Sequence, residues 1–263
     1  MESLPEQLAA YARMLAETAT GQTQSRHLGG IGHKLSQQYR ALGISLLLRE
    51  ANTDAFFHWL IQSALVRAHV LERCRAEGNE ASPHRRASLN GPFFDAVTAS
   101  QWKLARKIAD HSADAWMQGE EYEDDFAYAR FLYLLVHFGA SDRTPLTRVL
   151  TQFETALEGG SASRLDLCLA LLNKDSDAFD SAFSAVLLDH SLLQKKQRQT
   201  SLARDLAFEP NSQVMVEGLA VLNIASALGL RTQPEYPLCP GLVRRVTYAP
   251  FIPLAFPLTH PED

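Results

Sequence analysis

The densest chemistry in the chain lies in Gly119–Leu135, GEEYEDDFAYARFLYLL, where Glu120, Glu121, Glu123, Asp124 and Asp125 stand within six positions. Carboxylates spaced like this can hold a hard metal ion, stabilise a helix N-terminus or face a cationic partner. A metal cage needs several oxygens converging on one point. Glu120/Asp124 and Glu121/Asp125 share the i,i+4 spacing of a helix face, but no further carboxylate closes a cage. At a helix start the unpaired backbone N–H groups favour one or two acids, by about 0.3–1 kcal/mol each. The others repel one another unless something cationic meets them. Cap and partner-facing surface both remain open for these five residues.

Other candidate chemistry falls away on spacing. None of the nine histidines has a glutamate three residues before it, so the ExxH pattern of helical di-iron sites is missing, and HExxH is missing too. His58 and His69 can share a helix face but bring no ligand pattern with them. HLGGIGHKLS (27–36) lacks the GK[ST] ending and preceding strand of a phosphate loop, and reads as a flexible lead-in to a helix. No GxSxG elbow occurs, and Cys74, Cys168 and Cys239 form no CxxC pair. We therefore assign no catalytic residue, cofactor or metal, and do not expect an enzyme. The basic residues Lys195, Lys196, Arg198 and Arg204 read as a solvated face. A net charge of -5 argues against direct nucleic-acid binding, which needs a basic surface.

The elements that position these residues are helices. Seven of the twelve prolines lie after residue 230, and apolar residues before that point recur at spacings of three and four. The pattern predicts helices near 4–20, 34–50, 53–75, 91–99, 101–112, 122–139, 144–158, 162–173, 176–189, 191–204 and 212–229. Thr53 or Asp54, Asp142 or Ser141, Ser176 and Asn211 or Ser212 stand where N-caps belong, and Gly139, Gly159 and Gly229 where helices end. Tyr122, Phe126, Ala129, Tyr133 and Val136 form one stripe, so the helix after the acids should be central, with the acids as its charged mouth. Trp102, Ala105 and Ala109 match Phe179, Ala182 and Val186 in spacing, as in closely packed helical hairpins.

The expected fold is all-α: a multi-helix bundle of packed hairpins, TPR-like in places. Residues 1–230 form one domain, and 231–263 form a proline-rich extended strap packed on it, with a short strand near 243–248. MESLPEQLAAYARMLAETAT lacks the basic start and long apolar run of a secretory signal. No apolar run is long enough for a membrane span, so the expected setting is the cytoplasm, without membrane contact.

Four segments resemble, in order, the core of the immunity protein 49 family. They are FFDAVTASQWKLARKIAD, YEDDFAYARFLYLL, LDLCLALLNKDSDAFDSAFSAVLLDH and FEPNSQVMVEGLAVLNIASALGL. The resemblance covers roughly residues 40–235 and rests most on YEDD (122–125), on DSDAF and on the pattern around Glu217. It implies an all-helical protein of a bacterial polymorphic toxin system. Such a protein binds the catalytic domain of a cognate toxin and performs no chemistry itself. An unexported immunity protein implies a toxin with a cytosolic target, nucleic acid being the commonest, with nucleotides and proteins as alternatives. Glu120, Glu121, Glu123, Asp124 and Asp125 then become candidate partner-binding residues, as a negative patch opposite a basic nuclease surface. A helical-repeat scaffold or regulator with a non-toxin partner is the alternative reading.

Overall fold

The computed structural model describes residues 3–20 and 24–245, and among these it is all-helical, with twelve α-helices and two 3₁₀ turns. Helices α1 (Leu4–Thr20), α2 (Ser25–Glu50) and α3 (Thr53–Ala76) pack in chain order. They share a small core that includes Leu15, Leu28, Leu35, Val66 and Val70. After a 3₁₀ turn at Pro83–Arg85, α4 (Gly91–Thr98) and α5 (Trp102–His111) pack against α3 and each other. Then come α6 (Glu123–Phe138) and α7 (Arg143–Ala156), followed by α8 (Ser163–Asn173) and α9 (Ser176–Gln197), two packed pairs. A second 3₁₀ turn at Ser201–Arg204 leads to α10 (Phe208–Gln213), which packs back on α2. Helix α11 (Val216–Ala227) packs on α4, and α12 (Gly241–Arg244) closes the described chain.

Helix α6 is central, as its aromatic content requires. Phe126, Tyr128, Phe131, Leu132 and Tyr133 are buried in the main core with Phe56, Phe93, Phe153, Phe179 and Phe183. Burying one such side chain stabilises the fold by about 1.5–3 kcal/mol. Both buried tyrosines satisfy their hydroxyls: Tyr133 donates to the Ala87 carbonyl at 3.0 Å and Tyr128 to Glu217 at 2.9 Å. Ala105, Ala109, Phe179, Ala182 and Val186 all point inward, while Trp102 is half-buried. The stripe starts one turn later than its spacing suggested, because Tyr122 is the residue before α6 and is 79% exposed.

Several boundaries differ from the sequence expectation. HLGGIGHKLS is not a flexible lead-in; it is part of the first half of α2. There the absent side chains let neighbours close in. A Cβ on Gly29 would collide with the His84 ring, and one on Gly32 would meet Val70 at 2.7 Å. Residues 176–197 form one helix, since Asp189–His190–Ser191 contains no breaker. The expected helix at 212–229 forms as α11 from Val216, while Ser212 and Gln213 end the short α10 instead. Asn52, not Thr53 or Asp54, caps α3, and Asp175, not Ser176, caps α9 through two backbone N–H groups. Residues 241–244 are helical where a strand was expected, and 246–248 lie outside the described residues. From 231 to 245 the chain lies on α9 and α11. Tyr236 stacks edge-on with Phe183 at 4.9 Å, and the Met215 N–H donates to the Leu238 carbonyl at 2.8 Å. The rest of the expected strap lies outside the described residues.

Candidate functional site

Four of the five carboxylates, Glu120, Glu121, Glu123 and Asp125, line one cavity of about 700 Å³ at the start of α6, whereas Asp124 lines a second groove, which Asp125 shares. Glu120 and Glu121 precede α6, in the loop that runs from α5 past the left-handed Gly119. Only Glu123, Asp124 and Asp125 stand in the first helical turn, where the N-terminal dipole favours them. None caps α6 with its side chain; Tyr122 occupies the cap position without a side-chain bond.

The loop acids are bound into the fold. Glu121 accepts from the Ser88 N–H at 2.9 Å and from the Met117 N–H at 3.4 Å. The Trp116 indole donates to its backbone carbonyl at 3.0 Å. Arg86 donates to the Glu120 carbonyl at 2.6 Å and lies 3.9 Å from that residue's carboxylate. Glu123 accepts from Gln152 at 2.8 Å and so ties α6 to α7. These contacts explain how Glu120, Glu121 and Glu123 stand so close: the chain brings a donor to each of them.

Asp125 belongs to a different network. It lies 3.2 Å from Arg164, at the start of α8. Arg164 forks onto Glu217 of α11, at 2.9 and 3.2 Å, and its guanidinium lies 4.6 Å from the centre of the Tyr128 ring. Such bidentate, ring-stacked geometry is specific to arginine. Glu217, helped by Tyr128 and Asp125, holds the Arg164 cation well above its usual range. Asp125 is raised from the ordinary aspartate value. Burial is the main cause; Arg164 opposes it, and the charges of Asp124, Glu217 and Glu121 add to it.

Between the N-termini of α6 and α8 and the side of α9 runs a groove of about 340 Å³. Its lining carries Asp124, Asp125 and Asp189 together with the buried Phe153, Val186 and Met215 and the half-exposed Leu193. Asp189 accepts from the Ser163 hydroxyl at 2.6 Å. Among the described residues Asp124 makes no hydrogen bond or ion pair. His190, also lining the groove, has a buried Nε2 with no partner among the described residues, and burial holds its pKa below the ordinary value. Arg164, Glu217 and Asp189 were not among the candidate residues. Arg164 pairs with acids 39 and 53 positions away, separations that no local period reports. Glu217 entered only through the family resemblance, and its place as the lone acid of α11 gave no sign of its partner.

A family model described as Immunity protein 49 matches residues 57–242, from early α3 to α12. The chain belongs to the immunity protein 49 family. No curated protein and no solved structure matches it. All five acids, with Arg164, Asp189 and Glu217, fall inside the span shared with the family, whereas α1 and α2 fall outside it. Among the described residues no helix is long and apolar enough to cross a membrane.

Proposed function

We propose that this chain is a cytosolic immunity protein that binds a cognate antibacterial toxin and neutralises it by forming a stoichiometric complex. Membership of the immunity protein 49 family carries the reading. A nuclease is the first candidate for the toxin, because an acidic protein complements a phosphate-binding surface. Neutralisation here is binding without chemistry. The acids before and at the start of α6 are engaged by donors from the chain or line a groove, an arrangement that suits contact with a partner. Protection inside a cell needs tight association; nanomolar affinity corresponds to about -12 kcal/mol.

The test is co-expression with the toxin domain encoded beside this gene. The expected results are rescue of growth and co-purification at a one-to-one ratio. The absence of both rescue and a complex would overturn the proposal, and a stable complex with an unrelated protein would favour the scaffold reading.

A further inference from the structure

We infer that the groove between α6, α8 and α9 receives a lysine or arginine side chain of the toxin, with apolar toxin residues lying along the outer face of α9. The inference rests on the proposed immunity function and assigns the partner chemistry of that surface.

Charge is the first argument. Asp124, Asp125, Asp189 and Glu217 surround this region, and one guanidinium, Arg164, answers them. That guanidinium is committed to Glu217 and Asp125. Asp124 has no hydrogen bond or ion pair among the described residues, and Asp189 has a serine hydroxyl only. His190 is held below its ordinary pKa, so it stays neutral near pH 7 and adds no positive charge. The local surplus is negative, and an anionic occupant is disfavoured.

Shape and surface chemistry are the second argument. A volume of about 340 Å³ sits at the lower end of the range for ligand pockets, roughly 300–1,000 Å³, and suits a side chain better than a cofactor. A lining both acidic and apolar matches a lysine or arginine, whose methylene stem packs while its charged head meets carboxylates. Arg164 already shows this arrangement inside the protein, against Glu217 and the Tyr128 ring.

The third argument is α9 itself. Its first half buries Phe179, Ala182, Phe183, Val186 and Leu187. Beyond them Leu188, Leu192 and Leu193 are 59%, 50% and 50% exposed. Asp189 and Leu193 are one helical turn apart and both line the groove, so apolar and acidic groups share one ridge. An arginine anchored in a desolvated pocket is among the contacts that dominate interface energies, and the exposed leucines beside it would exclude water from around it. The chain's own residues 246–263 contain no lysine or arginine, so they do not supply the cation.

The experiment titrates the purified toxin domain from the neighbouring gene into wild type, Asp124→Asn/Asp189→Asn, Leu192→Ser and Glu120→Gln at two salt concentrations, with melting curves on each. Both aspartate replacements keep shape, and the amide oxygen introduced by Asp189→Asn still offers Ser163 an acceptor. We expect the double variant to bind at least tenfold more weakly with a shallower salt dependence, Leu192→Ser to lose fivefold or more, and Glu120→Gln to stay within twofold. Wild-type binding that the double variant matches overturns the inference alone. No wild-type binding overturns both the inference and the proposed function. Sedimentation of the free protein gives the remaining outcome: a dimer lost in the double variant would assign the groove to a second copy and overturn the toxin assignment.

Discussion

Glu121 and Asp124 are three residues apart and chemically alike, yet they belong to different parts of the molecule. Glu121 faces inward, where two backbone N–H groups bind it and a loop folds around it. Asp124 lines a groove without a hydrogen bond or ion pair among the described residues. The chain passes from loop to helix between them, and that change of backbone turns adjacent acids toward different neighbours. A run of like charge in a sequence is therefore not one electrostatic object. Its members must be sorted by the donors that reach them.

The sharpest way to break the comparison is to remove the arginine that joins the groove to the core. Arg164→Ala would leave Glu217, whose side chain is 16% exposed, with only the Tyr128 hydroxyl, while Asp125 would lose its cation. Stranding a buried charge costs about 3–5 kcal/mol; partial exposure of Arg164 places the expected loss near the lower end. Chemical denaturation would measure it. A loss under about 1 kcal/mol would mean that the network is peripheral. Arg164→Lys should recover little, because an ammonium does not reproduce the fork or the ring stacking.

The next effect separates the two acids. Glu121→Gln removes the charge from the bonds to Ser88 and Met117, and should cost about 1 kcal/mol of stability with toxin affinity unchanged. Asp124→Asn should do the reverse: stability within about 0.5 kcal/mol of wild type, as for a surface change, and weaker toxin binding. If both variants behaved alike in both assays, the distinction between loop acid and groove acid would fail.

Much of this architecture was legible in the sequence because it is local. The helical period, few early prolines and an aromatic-rich α6 specify an all-α molecule with α6 at its centre. What escaped is what tertiary packing decides. Gly29 and Gly32 look like loop residues until His84 and Val70 are seen against them. A pause at residue 190 looks plausible until one helix is seen to run through it. At the site, the acids were visible but their partners were not, since Ser88, Gln152, Arg164 and Glu217 arrive from four distant segments. Asp189 reads as one of many surface acids until α9 brings it to the groove.

The smallest effect sharpens the groove side of the comparison through pH. His190 lines the groove and lies between opposing influences: burial lowers its pKa, Glu217 raises it and Arg164 lowers it again, with burial the largest. Its folded pKa is thus below the ordinary value of 6.5 shown by the unfolded chain. A depressed histidine contributes stability that is fully present above pH 6.5 and is lost as pH falls through the folded value, because the unfolded chain takes up the proton first. Asp125, raised in the fold, acts with the opposite sign at lower pH, where its protonation relieves first the cost of burying its charge and then the crowding with Asp124 and Glu217. Melting temperatures recorded downward from about pH 7.5 should therefore show a shallow decline beginning near 6.5, reduced in His190→Gln. An unchanged slope in that variant would place the proton uptake on the other depressed histidines, His33, His58, His84 and His111. A reduced slope would tie the titration to the groove wall, where toxin binding, by covering His190 further, should leave the onset near 6.5 and extend the decline to still lower pH.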